Sequence, residues 1–194
     1  MMMLQIAAVF ILLTFYGCYF AKVISQHRKG IQTDQLGKGK IGFVRFIEVS
    51  LSISSRLAVI VEVVSIILNT NRFAPWVRIL GICLAAAGVI VFILSVMTMK
   101  DSWRAGVPES GKTELVTSGI YQISRNPAFL GFDLVYLGIL LAFFNWVLFG
   151  VSAFTMIMLH LQIVNVEEDF LIVTFGTAYL DYKKKVCRYI GRKF

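Results

Sequence analysis

Five apolar stretches of the chain come close to the length a helix needs to cross a bilayer. Crossing about 30 Å of hydrocarbon takes roughly 20 mostly apolar residues at about 1.5 Å each. The stretches cover residues 3–24, 49–69, 75–99, 127–144 and 146–166, and Arg56 and Glu62 interrupt the second. The third opens on Pro75, which suits a first helical turn because its missing N–H is unused there. Asn145 leaves only a tight turn between the fourth and fifth, which predicts an antiparallel hairpin. The first stretch has no basic n-region and no small-residue cleavage site, so it reads as a helix and not a signal peptide. The expected fold is all-α: a polytopic membrane protein with five transmembrane helices.

Composition removes the soluble alternatives. Hydrophobic types make up 58% of the 194 residues and charged types 15%, against about 25% charged in a soluble domain. The polar residues are too few to cover a soluble surface, which excludes an ordinary soluble enzyme and a disordered tail. Lys and Arg number 19 against 11 acidic residues, a net charge of +8. Positive loops beside anionic lipid account for that excess, so no nucleic-acid partner is expected.

The basic residues sort to one side. Lys22, Arg28, Lys29, Lys38, Lys40 and Arg45 follow the first span, and Lys100, Arg104, Lys112 and Arg125 lie between the third and fourth. Lys183, Lys184, Lys185, Arg188, Arg192 and Lys193 are in the tail, so the three groups hold 16 of the 19. The positive-inside rule then places the N-terminus outside and the C-terminus in the cytoplasm. Five spans also require the termini to be on opposite faces. Cys18, Cys83 and Cys187 lie far apart, and His27 and His160 are the only histidines. Neither a disulfide framework nor a metal site is expected.

The chemistry is expected in the second part of the chain. Residues 1–99 hold spans one to three with their cytoplasmic loop. Residues 100–194 form a catalytic half of loop, helical hairpin and tail, with a cytoplasmic cofactor pocket. Residues 100–126 contain Gly106, Pro108, Gly111 and Gly119 and read as a structured loop with turns. Ionisable groups inside spans are costly and mark candidate sites. Asn126, Phe129, Asp133 and Tyr136 share one face of span four, and His160 and Glu167 lie two turns apart on span five. The hairpin brings Arg125 and Asn126 to the membrane face where Glu167 and Glu168 finish. Acidic residues at a helix C-terminus oppose the dipole, which favours a site there. Asp133 and His160 suit interhelical hydrogen bonds equally well, and Glu62 and Arg56 suit structural contacts. Cys187 reads as a bystander.

Two blocks of the sequence resemble a known family. Leu115-Val116-Thr117-Ser118-Gly119-Ile120-Tyr121, then Arg125-Asn126-Pro127 and Gly131, are similar to the LVTxGxYxxxRHPxYxG pattern of the integral-membrane isoprenylcysteine carboxyl methyltransferases. Glu167-Glu168, Phe175-Gly176, Tyr179, Tyr182 and Lys183 to Val186 resemble their EE…FGxxYxxYxxxV block. The resemblance covers about residues 112–187, and the length and five-span layout look like an archaeal or other prokaryotic member. Three positions depart from the pattern: Asn126 and Thr113 stand where the family has His, and Phe129 where it has Tyr. Asn126 can hydrogen-bond but cannot act as an acid or base.

The resemblance implies transfer of a methyl group from S-adenosylmethionine to the C-terminal carboxylate of a prenylated cysteine, with S-adenosylhomocysteine as product. A carboxylate is already ionised at neutral pH, so positioning and desolvation carry the rate and no general base is needed. The implied catalytic residues are Arg125 and Glu167. The implied donor site is Leu115, Val116, Gly119, Tyr121, Asn126, Pro127, Leu130, Glu167 and Glu168. Phe129, Asp133, Tyr136 and His160 would face the acceptor, whose lipid tail enters laterally from the membrane. No G-x-G-x-x-G fingerprint follows a strand, so the donor site is not of the Rossmann kind. The alternatives are a phospholipid N-methyltransferase, an NADPH-dependent sterol or lipid reductase of related fold, and a non-enzymatic helical scaffold. The reductase pattern carries an acid after the glycine, where Phe132 follows Gly131 here.

Overall fold

The computed structural model describes residues 2–107 and 113–192. Pro108, Gly111, Lys112 and Lys193, which belong to the third loop and the tail, lie outside the described residues. Among the described residues the chain is helical, with loops and two isolated backbone bridges, Asp34 with Ala105 between helices and Val186 with Arg192 in the tail. The helices are α1 (Met2–Arg28), α2 (Gly42–Ile67), α3 (Pro75–Met99), α4 (Pro127–Ala142), α5 (Trp146–Gln162) and α6 (Glu168–Lys185). A π-helical turn, Ile163–Glu167, joins α5 to α6 without a break.

The protein is an integral membrane protein built on four long apolar stretches and one shorter helix. Met2–Arg28, Gly42–Ile67, Pro75–Ser102 and Trp146–Lys185 are long and apolar enough to cross a membrane. The expected fourth span over 127–144 is shorter than predicted. Helix α4 has 16 residues, about 24 Å of rise. It ends at Ala142 because residues 143–145 form the turn of the hairpin. Helix α2 starts earlier than predicted, so Arg45 and Glu48 lie on it rather than in the loop.

Helix α4 lies along α3, the most extensive helix pair in the structure. Glycines make the approach possible. A Cβ at Gly138 would lie 2.5 Å from the Gly81 carbonyl oxygen, and one at Gly88 2.7 Å from that of Gly131. Without an apolar driving force in lipid, helices associate through such close backbone contact at small residues. Helix α1 completes this core through Phe15, whose ring meets Phe92 and Phe132. Helix α2 packs on α5 instead, and α1 touches α2 only lightly.

The end of the bundle holding the α4–α5 turn is fastened by polar side chains. Asn145 Oδ1 caps α5 by accepting from the Leu148 N–H at 2.9 Å. Its Nδ2 donates to Ser65 Oγ and Thr70 Oγ1. Arg78 donates to the Ala142 carbonyl, satisfying a C-terminal oxygen of α4, and to Asn69 Oδ1. Inside the bundle, Tyr16 donates to the buried Glu62 across the α1–α2 gap at 3.2 Å, the structural contact expected of Glu62.

Candidate functional site

Two cavities adjoin at the opposite end of the bundle. The larger, about 880 Å³, lies between α1 and α2 and is closed below by α4 and α5. Its walls are mostly apolar and run along α1 from Val9 to Val23 and along α2 from Leu51 to Ile67. The smaller, about 100 Å³, lies between residues 99–107, the extended segment 113–116, the start of α4, and α6. Trp103, Arg104, Gly106, Ala128 and Phe129 line both, so they form a neck between the two spaces.

The neck is positioned by the loop between α1 and α2. Gln35 N–H donates to Ala105 O at 2.8 Å, and Ala105 N–H donates to Thr33 O at 3.0 Å. Gln26, fully buried, donates to Trp103 O at 2.9 Å and accepts from Thr33 Oγ1 at 2.6 Å. The Trp103 ring packs against Tyr19 and Phe92. Lys29 and Lys22 reach Asp101 and tie the end of α1 to the turn after α3. Burial lowers the Arg104 guanidinium from its ordinary value, and the Asp101 charge works against that shift.

Below the smaller cavity, an ion cluster locks the start of α4 to α6 and the tail. Glu168 takes Arg125 Nη2 at 3.1 Å, Lys183 at 2.7 Å and Arg188 at 2.8 Å. Arg125 Nη1 donates to Tyr179 OH at 2.7 Å and its Nε to Val186 O at 3.1 Å. Every guanidinium nitrogen of Arg125 therefore already has a protein partner. The hydrogen bond to Glu168 holds Arg188 above its ordinary range. The tail folds back through Gly191 N–H to Ile123 O and Arg125 N–H to Cys187 O. Gly176, at φ 53°, breaks the run of α6 in a conformation that favours glycine. Beyond it, Tyr179, Tyr182 and Val186 pack together beside Leu115.

The predicted residues divide between these settings. Leu115, Val116, Tyr121, Arg125, Asn126, Phe129 and Glu167 line the smaller cavity. Gly119, Pro127, Leu130 and Glu168 do not line it; Gly119 lies against Thr98, and Glu168 turns into the ion cluster. Tyr121 is pinned by Ser95 at 2.7 Å and by the Tyr182 hydroxyl, which donates to its carbonyl. Asn126 holds the tail by donating to Arg188 O. Phe129 and Tyr136 line the larger cavity, whereas Asp133 and His160 line neither. Exposed His160 pairs with Tyr189 OH at 2.7 Å, and Asp133 keeps one buried oxygen without a hydrogen-bond partner. Among the described residues no Lys or Arg lies within ion-pair distance of Glu167.

Adjacent acids on a helix point about 100° apart, and here a π turn leads into the pair. Glu168 N–H bonds Ile163 O, five residues back, so one extra residue is wound into the helix. Glu167 faces the cavity and Glu168 the cations. Sequence reasoning missed the neck, Trp103, Arg104 and Gly106, because those residues face the cavities only once the α1–α2 loop docks on them. The signal available was Arg104 beside Trp103 at the end of an apolar span.

The chain has relatives among known proteins over this same region. A family profile described as phospholipid methyltransferase matches residues 76–178, from α3 into α6. Protein-S-isoprenylcysteine O-methyltransferase of Dictyostelium discoideum is 33% identical over 134 residues, 61% of this chain and 50% of that protein. The enzyme of that name from Rattus norvegicus is 34% identical over 112 residues, 53% of this chain and 39% of its own length. That from Saccharomyces cerevisiae is 29% identical over 110 residues, 56% of this chain and 46% of its own length. The match thus spans half or less of each of these relatives.

Proposed function

The chain belongs to the phospholipid methyltransferase family, and from that premise we propose that it methylates the terminal carboxylate of a prenylated cysteine or a similar isoprenoid lipid. The observation that carries this reading is the neck: a long apolar cavity meets a smaller, more polar one at Trp103, Arg104 and Phe129. The larger cavity suits a lipid chain entering between α1 and α2. The smaller suits the reactive end of the donor. Residues 1–99 supply most of the lipid cavity and residues 100–194 most of the donor site. The names of the relatives favour a carboxylate acceptor over a phospholipid amine.

S-adenosylmethionine, when bound, supplies the methyl group as a sulfonium and leaves as S-adenosylhomocysteine. The wall chemistry fits such a cation. The Glu167 carboxylate has no competing cation among the described residues and is placed to attract the ammonium or sulfonium. Leu115 and Val116 offer backbone groups, and Tyr121 and Asn126 complete the wall. A pocket for a whole ligand of this size needs about 300 Å³ or more, so the smaller cavity, at about 100 Å³, takes only the reactive end of the donor. The ion cluster of Arg125 and Glu168 holds the floor of the site and is not itself the donor contact.

In this reading α4 is a short fifth crossing, the N-terminus is outside, and the tail and small cavity are cytoplasmic. The charge sorting supports that orientation. The experiment is methyl transfer by the purified chain in detergent, with labelled donor and N-acetyl-S-farnesylcysteine. A base-labile methylated product is expected, as an ester requires. A base-stable product, or no donor binding at millimolar concentration, overturns the reading.

A further inference from the structure

We infer that Arg104 is the anchor for the acceptor's carboxylate, held at the neck between the two cavities. This rests on the methyltransferase reading above and assigns within it a residue that reads the acceptor's charge. Of the five residues common to both cavity walls, Arg104 alone carries a charge. The methyl group must pass from one space to the other, so the accepting oxygen has to lie at this neck. A carboxylate brought there on an apolar tail loses its water, and an unpaired charge in that position is costly. A guanidinium is the side chain whose donor geometry matches a carboxylate.

The hydrogen bonds of Arg104 leave it available for that pairing. Its Nη1 donates to two backbone carbonyls, those of Asp101 and Trp103. Among the described residues, Nε and Nη2 have no hydrogen-bond partner, and no carboxylate lies within ion-pair distance. A guanidinium has five N–H donors, so one edge remains for a ligand. Arg125 differs on every count. Its nitrogens are engaged by Val186 O, Tyr179 OH and Glu168, and it lines the small cavity away from the neck. Freeing it for an acceptor would dismantle the ion cluster.

Arg104 is also held in place before any ligand arrives. The bonds from Gln26 to Trp103 O and between Thr33, Gln35 and Ala105 fix the backbone on either side of it. Such prior ordering reduces what binding must spend on immobilising a long side chain. It further links α1 and the α1–α2 loop to acceptor recognition, since Gln26 comes from the first and Thr33 and Gln35 from the second.

The reaction removes the charge that Arg104 binds. A carboxylate oxygen forms a C–O bond to methyl as the C–S bond of the sulfonium breaks, the electron pair stays on sulfur, and no proton moves. The acceptor enters as an anion and leaves as a neutral ester. Arg104 therefore favours substrate over product, and release of the ester follows from loss of the pair.

The test compares the full-length wild type, Arg104→Gln and Arg104→Lys in detergent. It measures turnover of N-acetyl-S-farnesylcysteine and binding of that acid and its methyl ester, with S-adenosylhomocysteine binding as the control. The wild type is expected to bind the acid about tenfold or more tightly than the ester. Arg104→Gln should raise KM for the acid by a similar factor and abolish the acid preference. Arg104→Lys should recover part of both, and S-adenosylhomocysteine affinity should stay within about twofold. Unchanged acid KM in Arg104→Gln, or donor affinity falling in step with it, overturns the assignment. If the wild type turns over no carboxylate acceptor, the methyltransferase reading fails. Equal wild-type binding of acid and ester overturns the anchor by itself, without relying on a variant that folds.

Discussion

Arg125 Nη2 lies 3.1 Å from Glu168 Oε1, and the two side chains are 4% and 5% exposed. The pair joins the first residues before α4 to the first residue of α6. Lys183 and Arg188 close around the same carboxylate, so three cations surround one buried anion. Removing Arg125 leaves Glu168 its two partly exposed cations but takes away its one buried partner, together with the donors to Tyr179 OH and Val186 O. Arg125→Ala is expected to destabilise the protein by about 3 kcal/mol or more, read as a fall in unfolding temperature in detergent. Tyr179→Phe, which removes only the hydroxyl partner, should cost about 1 kcal/mol.

Glu167 and Glu168 are expected to separate cleanly in experiment. Glu167→Gln should weaken S-adenosylhomocysteine binding by about tenfold or more while leaving thermal stability nearly unchanged. Glu168→Gln should do the reverse, because its carboxylate serves the ion cluster. Titration calorimetry and thermal unfolding on the same preparations check both halves of this statement.

The α3–α4 seam and the open face of α5 predict opposite outcomes for two glycines. Gly138→Val places atoms against the Gly81 carbonyl and the Ala85 backbone, where a Cβ alone already comes within 2.5 Å. A loss of about 3 kcal/mol is expected as the helices are forced apart. Gly150, on α5, has open space around it, with nothing within 4 Å of where an added Cβ would sit. Gly150→Ala should stabilise by roughly 0.5–1 kcal/mol through helix propensity. Unfolding temperatures of both variants against wild type decide the point.

The pH profile distinguishes the acceptor chemistries. A carboxylate acceptor has a pKa of about 4 and is ionised above it, so turnover should be flat through the neutral range. It should fall only at acid pH, as the nucleophile is protonated. An amine acceptor must lose a proton before it attacks, so its rate would climb with pH through the same range. The dependence of kcat/KM on pH with each acceptor type measures this directly.

Filling the larger cavity should affect the acceptor alone. Val59, on α2, lines that space and lies away from the smaller one. Val59→Phe is expected to raise KM for N-acetyl-S-farnesylcysteine by about fivefold or more, with donor binding unaffected. Parallel acceptor kinetics and donor titrations provide the check.

The long helices were legible because apolar runs of span length have few other uses. Convergence of Arg125 with the Glu167–Glu168 pair followed from the hairpin, which Asn145 announces. The shortness of α4 was not legible, since Phe143 and Phe144 are as apolar as the helix they follow and only the turn excludes them. The separate settings of Glu167 and Glu168 depend on what lies on each side of the helix, the cavity on one and Arg125, Lys183 and Arg188 on the other, which neighbours in sequence do not reveal. The full engagement of Arg125 depended on Tyr179 and Val186, more than fifty residues away. Arg104 read as one basic loop residue among several until Gln26 and Thr33 fixed its neighbours.

The π turn at Ile163–Glu167 also works as a slack link between α5 and α6. Its five-residue reach takes up one extra residue within a single turn, where a regular helix would pass that residue on as a rotation of about 100°. Deleting a single residue there is therefore expected to restore regular winding while α5 keeps its face toward α2 and Glu168 keeps its cations. The change would fall on the turn itself, where Glu167 borders the smaller cavity. The turn is thus a place where the chain can gain or lose a residue without unseating the ion cluster.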